Sequence, residues 1–236
     1  FIVAQKSSDF VGVNLVGAED SPIALRDYKK DMQIFQFLHQ AYPNVAISLH
    51  AGELNPYKAN HKDTGFHIQE AVHVAHAQRI GHGIDITSEH HSEELLRFMK
   101  THDIAVEINL ISNTKILNIK GKQHPLNYYL AHQVPVIFST DDEGVLRTDL
   151  TSQYVAAVIE HGLDYQAIKQ INRNALTYSF LSGRSLWVRP NSVDRVSECT
   201  DLNSARCLQF IKHNEKAKMQ RQLEILLSCF ESRYSA

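Results

Sequence analysis

Three cysteines in 236 residues are too few for a disulfide framework, so the fold must rest on a hydrophobic core. Cys199 and Cys207 are close enough in sequence to pair in an exported protein; three free thiols is the alternative. Long hydrophobic runs are lacking too. No stretch approaches the roughly 18–20 apolar residues that cross a bilayer, and the longest, such as Val134–Phe138, are strand-sized, so no membrane partner is expected. Neither charge sign dominates: a net charge of -2 gives no electrostatic reason to expect a nucleic-acid partner. Internal repeats and low-complexity tracts are missing as well. The chain starts at Phe1 with neither a methionine nor a signal-peptide pattern, which reads as an internal start left by cleavage or by an upstream region.

What is present is an ordinary globular composition, 43% hydrophobic, with length enough for one large domain. Apolar, β-branched segments alternate with amphipathic ones. Strands are expected at Phe10–Val16, Val45–His50, Gln78–Gly81, Ile104–Leu110 and Val134–Ser139. Helical spacing lies between them at Leu25–Tyr42, Ile68–Ala77, Glu93–His102 and Pro125–His132. This order predicts parallel β/α units, and the continuously apolar strands suit a sheet buried on both faces. Polar groups follow each strand: Gly17 and Glu19, His50 and Glu53, His82, Ser112 and Asn113, Asp141 and Asp142. A barrel gathers its site from many strand ends, whereas a doubly wound sheet uses one switch point, so a (β/α)8 barrel is favoured. Five such strands would leave about three to lie upstream of Phe1. From Thr151 the pattern is helical, with a helix over Tyr165–Phe180, an irregular polar stretch over 183–204 and a final helix over Ala205–Tyr234. Residues 1–182 are therefore read as the barrel portion, and 183–236 as a helical extension packed on it.

The fourteen histidines justify asking where each one sits. His50-Ala51-Gly52-Glu53 ends an apolar strand: a histidine can present a ring nitrogen to a metal while a nearby carboxylate moves a proton, which suits hydrolysis. A chance polar turn is the plain alternative. Gly81-His82-Gly83 implies a tight backbone whose histidine is a ligand, a base, an orienting group or simply structural. Asp141-Asp142 follows a strongly apolar strand; adjacent carboxylates diverge, so one can face a metal and the other a substrate, unless the pair is an ordinary loop or helix N-cap.

Taken in order, HAGE, GHG and Ser-Thr-Asp-Asp resemble the adenosine deaminase family. The segments Val13–Asp20 and Glu107–Asn113 extend the likeness to roughly residues 10–182. Leu15–Asp20 followed by Leu25–Tyr28, together with Arg173–Leu181, resembles the exported, growth-factor-related branch, which implies an extracytoplasmic location. The resemblance implies a barrel of the metallo-dependent hydrolase type with one catalytic zinc. Its substrate would be a small purine nucleoside, adenosine or deoxyadenosine, hydrolysed to inosine or deoxyinosine and ammonia. It implies that His50 and Asp141 bind zinc, that Glu53 protonates purine N1, and that His82 orients the attacking oxygen. Asp142 would bind N7 and the Gly17 backbone would face N3, with Ser112 at most supporting the site.

Two departures stand out. The family's two further zinc histidines come from a His-x-His motif that this chain lacks, so activity is expected to need an upstream segment. Glu143-Gly144 stands where many relatives have a proline. AMP, adenine or a modified nucleoside are alternative substrates. A non-catalytic binding or signalling module is the rival class, and the upstream segment or a second copy are the partners left open.

Overall fold

The structure, a computed structural model, describes residues 1–59 and 64–234. Its contacts divide it into two units, Phe1–Asp164 and Tyr165–Ala236. The first is built on four parallel strands, β1 Ser48–Ala51, β2 Arg79–His82, β3 Ala105–Ile108 and β4 Val136–Phe138, paired in chain order. Each strand lies beside the next with helical chain between them, as successive staves of a (β/α)8 barrel do. Register places His50 beside Gly81 and Ala51 beside His82, so the polar tips of β1 and β2 lie level. The apolar residues sink into the core: Leu49, Ile80, Val106, Ile108 and Val136 are fully buried.

Local signals explain the helices. Pro22–Ala41 starts at Ser21, whose hydroxyl accepts from Ala24 N at 3.2 Å, with Pro22 in the first turn where its missing N–H costs nothing. Ser92–Thr101 buries Leu95, Leu96 and Met99 along one face. Leu150–His161 is capped by Asp149, which accepts from Ser152 N at 2.7 Å, and is closed by Gly162 at φ +69. No helix among the described residues is long and apolar enough to cross a membrane.

Several expectations need correction. Phe10–Val16 is not a strand: only Val13 bridges, to Ile47, while Phe10, Val11 and Val16 are exposed. An apolar, β-branched segment reads as a strand whether or not a second neighbour extends its ladder, and none does among the described residues. The segment Ile104–Leu110 leaves the sheet after Ile108, and Ser112 and Asn113 sit in the first turns of a helix, Leu110–Leu117, rather than at a strand end. The long C-terminal helix is two, Ala205–Ile211 and Glu215–Tyr234. Asn214 at the break accepts from Arg184 N at 2.6 Å and packs against Gly183.

In the second unit, helix Tyr165–Thr177 is held to Glu215–Tyr234 by a bidentate Arg173–Glu224 pair at 2.7 Å for both contacts. This pairing joins helix Tyr165–Thr177 to the rest of the second unit. Cys199 and Cys207 form a disulfide inside a small core with Leu186, Trp187, Val196 and Ala217; Cys229 is a free, exposed thiol. The last two residues of the expected 183–236 extension lie outside the described residues.

Candidate active site

The first-unit strand tips do meet. His50 lies on β1, and after it the chain turns at Gly52, φ +75, to carry Glu53 back over the sheet. A Cβ on Gly52 would collide with Asp85 Oδ1 and come within 2.9 Å of Ile68, so the turn requires glycine. His82 closes β2 in a left-handed conformation, φ +66, and Asp141 beyond β4 does the same at φ +56. Non-glycine residues adopt this region at a cost of about 1–3 kcal/mol each and tend to do so at functional sites.

The His50 and His82 rings are 4.8 Å apart. His82 Nδ1 lies 3.6 Å from Glu53 Oε1, and His82 Nε2 lies 3.8 Å from Asp141 Oδ2. Ser112, expected only to support the site, donates to Asp141 Oδ2 at 2.6 Å. His50 Nδ1 sits 3.3 Å from Asn14 Oδ1, which leaves Nε2 as its metal-competent atom. Asp142 precedes the short helix Glu143–Leu146, which begins at the departing Glu143-Gly144 pair, and its carboxylate makes no capping bond. A cavity of about 330 Å3 is lined by Val16, Gly17, Asp20, His50, Glu53 and the two aspartates, among others. Gly17, Glu19, His50, Glu53, Asp141 and Asp142 therefore line one opening, whereas His82, Ser112 and Asn113 are buried and do not line it.

The electrostatics follow from this crowding. Burial, then the neighbouring carboxylates of Asp141 and Glu19, push the Glu53 carboxyl up to about 8, so it holds a proton at neutral pH. Burial and the adjacent His50 bring His82 down to about 4, so its imidazole is neutral. Among the described residues the cavity wall carries five carboxyl groups, Glu19, Asp20, Glu53, Asp141 and Asp142, and no lysine or arginine. His50, Glu53 and His82 each bring one donor atom within 4.8 Å of the others. Asp141, expected as a ligand, is not in that triad; its Oδ2 lies 3.8 Å from His82 Nε2. Imidazole nitrogen with carboxylate oxygen is a donor set that fits a catalytic divalent metal.

Sequence reasoning placed Glu19 near the site but gave it no role. It is buried, and its two carboxylate oxygens accept from Gly52 N at 2.8 Å and Glu53 N at 2.7 Å. It also contacts Nδ1 of the fully buried His67, whose ring stacks on Tyr28. The carboxylate thus ties the Gly17–Asp20 loop to the turn that carries Glu53. Nothing local in the sequence signals this, because the partners are more than thirty residues apart.

Comparison with known proteins places the chain in a family. The adenosine deaminase family model matches residues 2–187. An adenosine deaminase of Plasmodium gallinaceum is 30% identical over 182 residues, covering 77% of this chain and 46% of that protein. The chain thus spans less than half the length of this curated relative. The crystal structure of an Arabidopsis N6-mAMP deaminase matches with a TM-score of 0.54 at 27% identity, over 77% of this chain and 49% of that one. An amidohydrolase from Burkholderia ambifaria, solved with bound Zn, matches with a TM-score of 0.56 over 75% and 45% of the two chains; at 16% identity it speaks for the fold alone. Motif order, parallel β/α architecture and family match converge on one assignment: the chain belongs to the adenosine deaminase family.

Proposed function

We propose that this chain forms the half of a zinc-dependent aminohydrolase that carries the proton-transferring and base-recognising groups, with adenosine or deoxyadenosine as substrate. The observation that carries the reading is the convergence of His50, Glu53, His82 and Asp141, from three separate strand ends, on one carboxylate-lined cavity. Zinc held by His50 and Asp141, with ligands from elsewhere in the full-length protein, would lower the pKa of a water at this mouth. Glu53, protonated at neutral pH, delivers its proton to purine N1, which makes C6 electrophilic. Oxygen from water then bonds to C6, one water proton restores Glu53 and the other passes to the amino group, and the C6–N bond breaks so that ammonia leaves and the 6-oxopurine remains.

Neutral His82 offers a hydrogen bond to the attacking oxygen, and Asp142 holds the N7 edge. At Gly17 a Cβ would meet no protein atom within 4 Å, so packing within this chain does not explain the glycine; a purine lying against that backbone at N3 does.

The wall also bears on substrate class. A phosphate dianion placed beside the carboxylates of Glu19, Asp20, Asp141 and Asp142, with no lysine or arginine on the wall among the described residues, is repelled, which favours an unphosphorylated nucleoside. One observation favours AMP as a second reading: Lys58 lines an adjoining cavity that shares Asp20, Ile116 and Leu117. The Cys199–Cys207 disulfide supports an extracytoplasmic location, where such bonds persist. The test is deamination by the full-length protein, followed by ultraviolet absorbance, with adenosine, deoxyadenosine, AMP and adenine side by side. Preference for either nucleoside bears the reading out, preference for AMP replaces the substrate, and no turnover of any of the four returns the non-catalytic module.

A further inference from the structure

We infer that Asn113 and His124 are positioning residues that fix which nitrogen of His82 carries the proton, so that its Nε2–H, and not a lone pair, is turned toward Asp141 at the cavity wall. The inference rests on the reading of His82 as a group acting at the deamination site, and extends it to two residues behind that site. It follows from a chain of hydrogen bonds in which each member leaves the next no choice. The backbone N–H of Leu126 can only donate, and it donates to His124 Nδ1 at 3.1 Å. A neutral His124 therefore carries its proton on Nε2. Burial, then the nearby His161, brings His124 down to about 3, in keeping with a neutral ring.

His124 Nε2 lies 3.1 Å from the Asn113 side-chain oxygen, which must be the acceptor. That sets the amide: its NH2 points the other way, to His82 Nδ1 at 2.9 Å. His82 Nδ1 is thereby an acceptor, helped by a second, longer contact of 3.4 Å from the Asn109 amide. In the neutral ring the proton sits on Nε2, the atom beside Asp141 Oδ2. Asn113 is fully buried and His124 nearly so, so water does not compete for these contacts. The chain is anchored on the backbone at the start of helix Leu126–Ala131 and ends at His82, beside Asp141 of the cavity wall, which is how a distant residue sets a tautomer.

The test uses the full-length, metal-loaded protein with 15N-labelled histidine. In the wild type, His82 Nδ1 should resonate as an unprotonated ring nitrogen and Nε2 as a protonated one; a protonated Nδ1 overturns the proposal outright. Asn113→Asp keeps the shape but offers acceptors only, so His82 Nδ1 should gain a proton. Loss of one preorganised donor should then lower kcat by roughly 100-fold, with KM within about threefold and metal content unchanged. An unchanged Nδ1 signal, or kcat within threefold of wild type, refutes the relay, and a fall in metal content with kcat per metal unchanged points to a merely structural role. If Asn113→Asp does not fold, His124→Leu, which frees the amide to turn over, should give mixed protonation of His82 in the same spectrum; a single Nε2–H form there refutes it. The nitrogen spectrum stands apart from turnover, so a wild type inactive on every adenine compound would sink the deaminase reading while leaving the tautomer measured.

Discussion

Gly17, which lines the cavity, and Gly52, in the turn before Glu53, should respond to the same substitution in different quantities. Gly52→Ala places a methyl group against Asp85 Oδ1 and Ile68 on a backbone at φ +75. A left-handed alanine costs about 1–2 kcal/mol, and forcing a methyl group into a packed site adds about 1–3 kcal/mol. The loss of unfolding free energy should therefore be about 2–5 kcal/mol. Gly17→Ala meets no protein atom within 4 Å and has no left-handed strain, so its stability should stay within about 0.5 kcal/mol of wild type. Its methyl group enters the volume assigned to the purine, so KM for adenosine should rise about tenfold or more, the equivalent of roughly 1.4 kcal/mol. Urea unfolding of the full-length variants gives the first quantity and steady-state kinetics the second. A Gly52→Ala protein as stable as wild type would refute the turn argument. A Gly17→Ala protein with unchanged KM would refute the placement of the base.

Glu19→Gln removes the anionic acceptor shared by two backbone N–H groups and His67. Hydrogen bonds to a charged group are worth about 1.5–3 kcal/mol, so thermal unfolding should show a loss of at least that size, while a melting temperature equal to wild type would show the clamp to be slack. Glu89, whose carboxyl accepts from Ile68 N at 2.6 Å, is pushed up to about 8 by burial and by Asp85, so the folded state holds its proton more tightly than the unfolded chain does. Its contribution is complete below its ordinary value of 4.5 and is lost as pH rises toward 8, so stability should decline over that window. Glu89→Gln keeps the acceptor and removes the ionisation; its stability curve should be flatter from pH 5 to 8, and a curve parallel to wild type would exclude Glu89 as the source.

The parts legible in the sequence were those in which local pattern and chemistry coincide. His50-Ala51-Gly52-Glu53, Gly81-His82-Gly83 and Asp141-Asp142 each sit where an apolar strand stops, so a linear reading located the β1, β2 and β4 ends and the side chains on them. The Phe10–Val16 segment misled because β propensity reports a side chain's fit to a pleated surface, not whether a ladder continues beyond the single Val13–Ile47 bridge seen here. The break at Lys212–Asn214 lies within uninterrupted helical spacing and depends on Asn214 being held by Arg184 and Gly183, which are distant in sequence. The same reason hid the supporting shell. Glu19 reaches Gly52, His67 and Glu53, and Asn113 joins His82 to His124, through contacts that no motif window contains.

The most direct test of the account is metal content and deamination measured together on full-length His50→Ala and Glu53→Gln. His50→Ala should lose bound zinc and turnover together. Glu53→Gln should keep its zinc and lose about 100- to 10,000-fold in kcat, because only the proton donor is gone. Zinc undiminished in His50→Ala, or near-normal turnover in Glu53→Gln, would contradict the assignment of metal binding and proton transfer to these two residues.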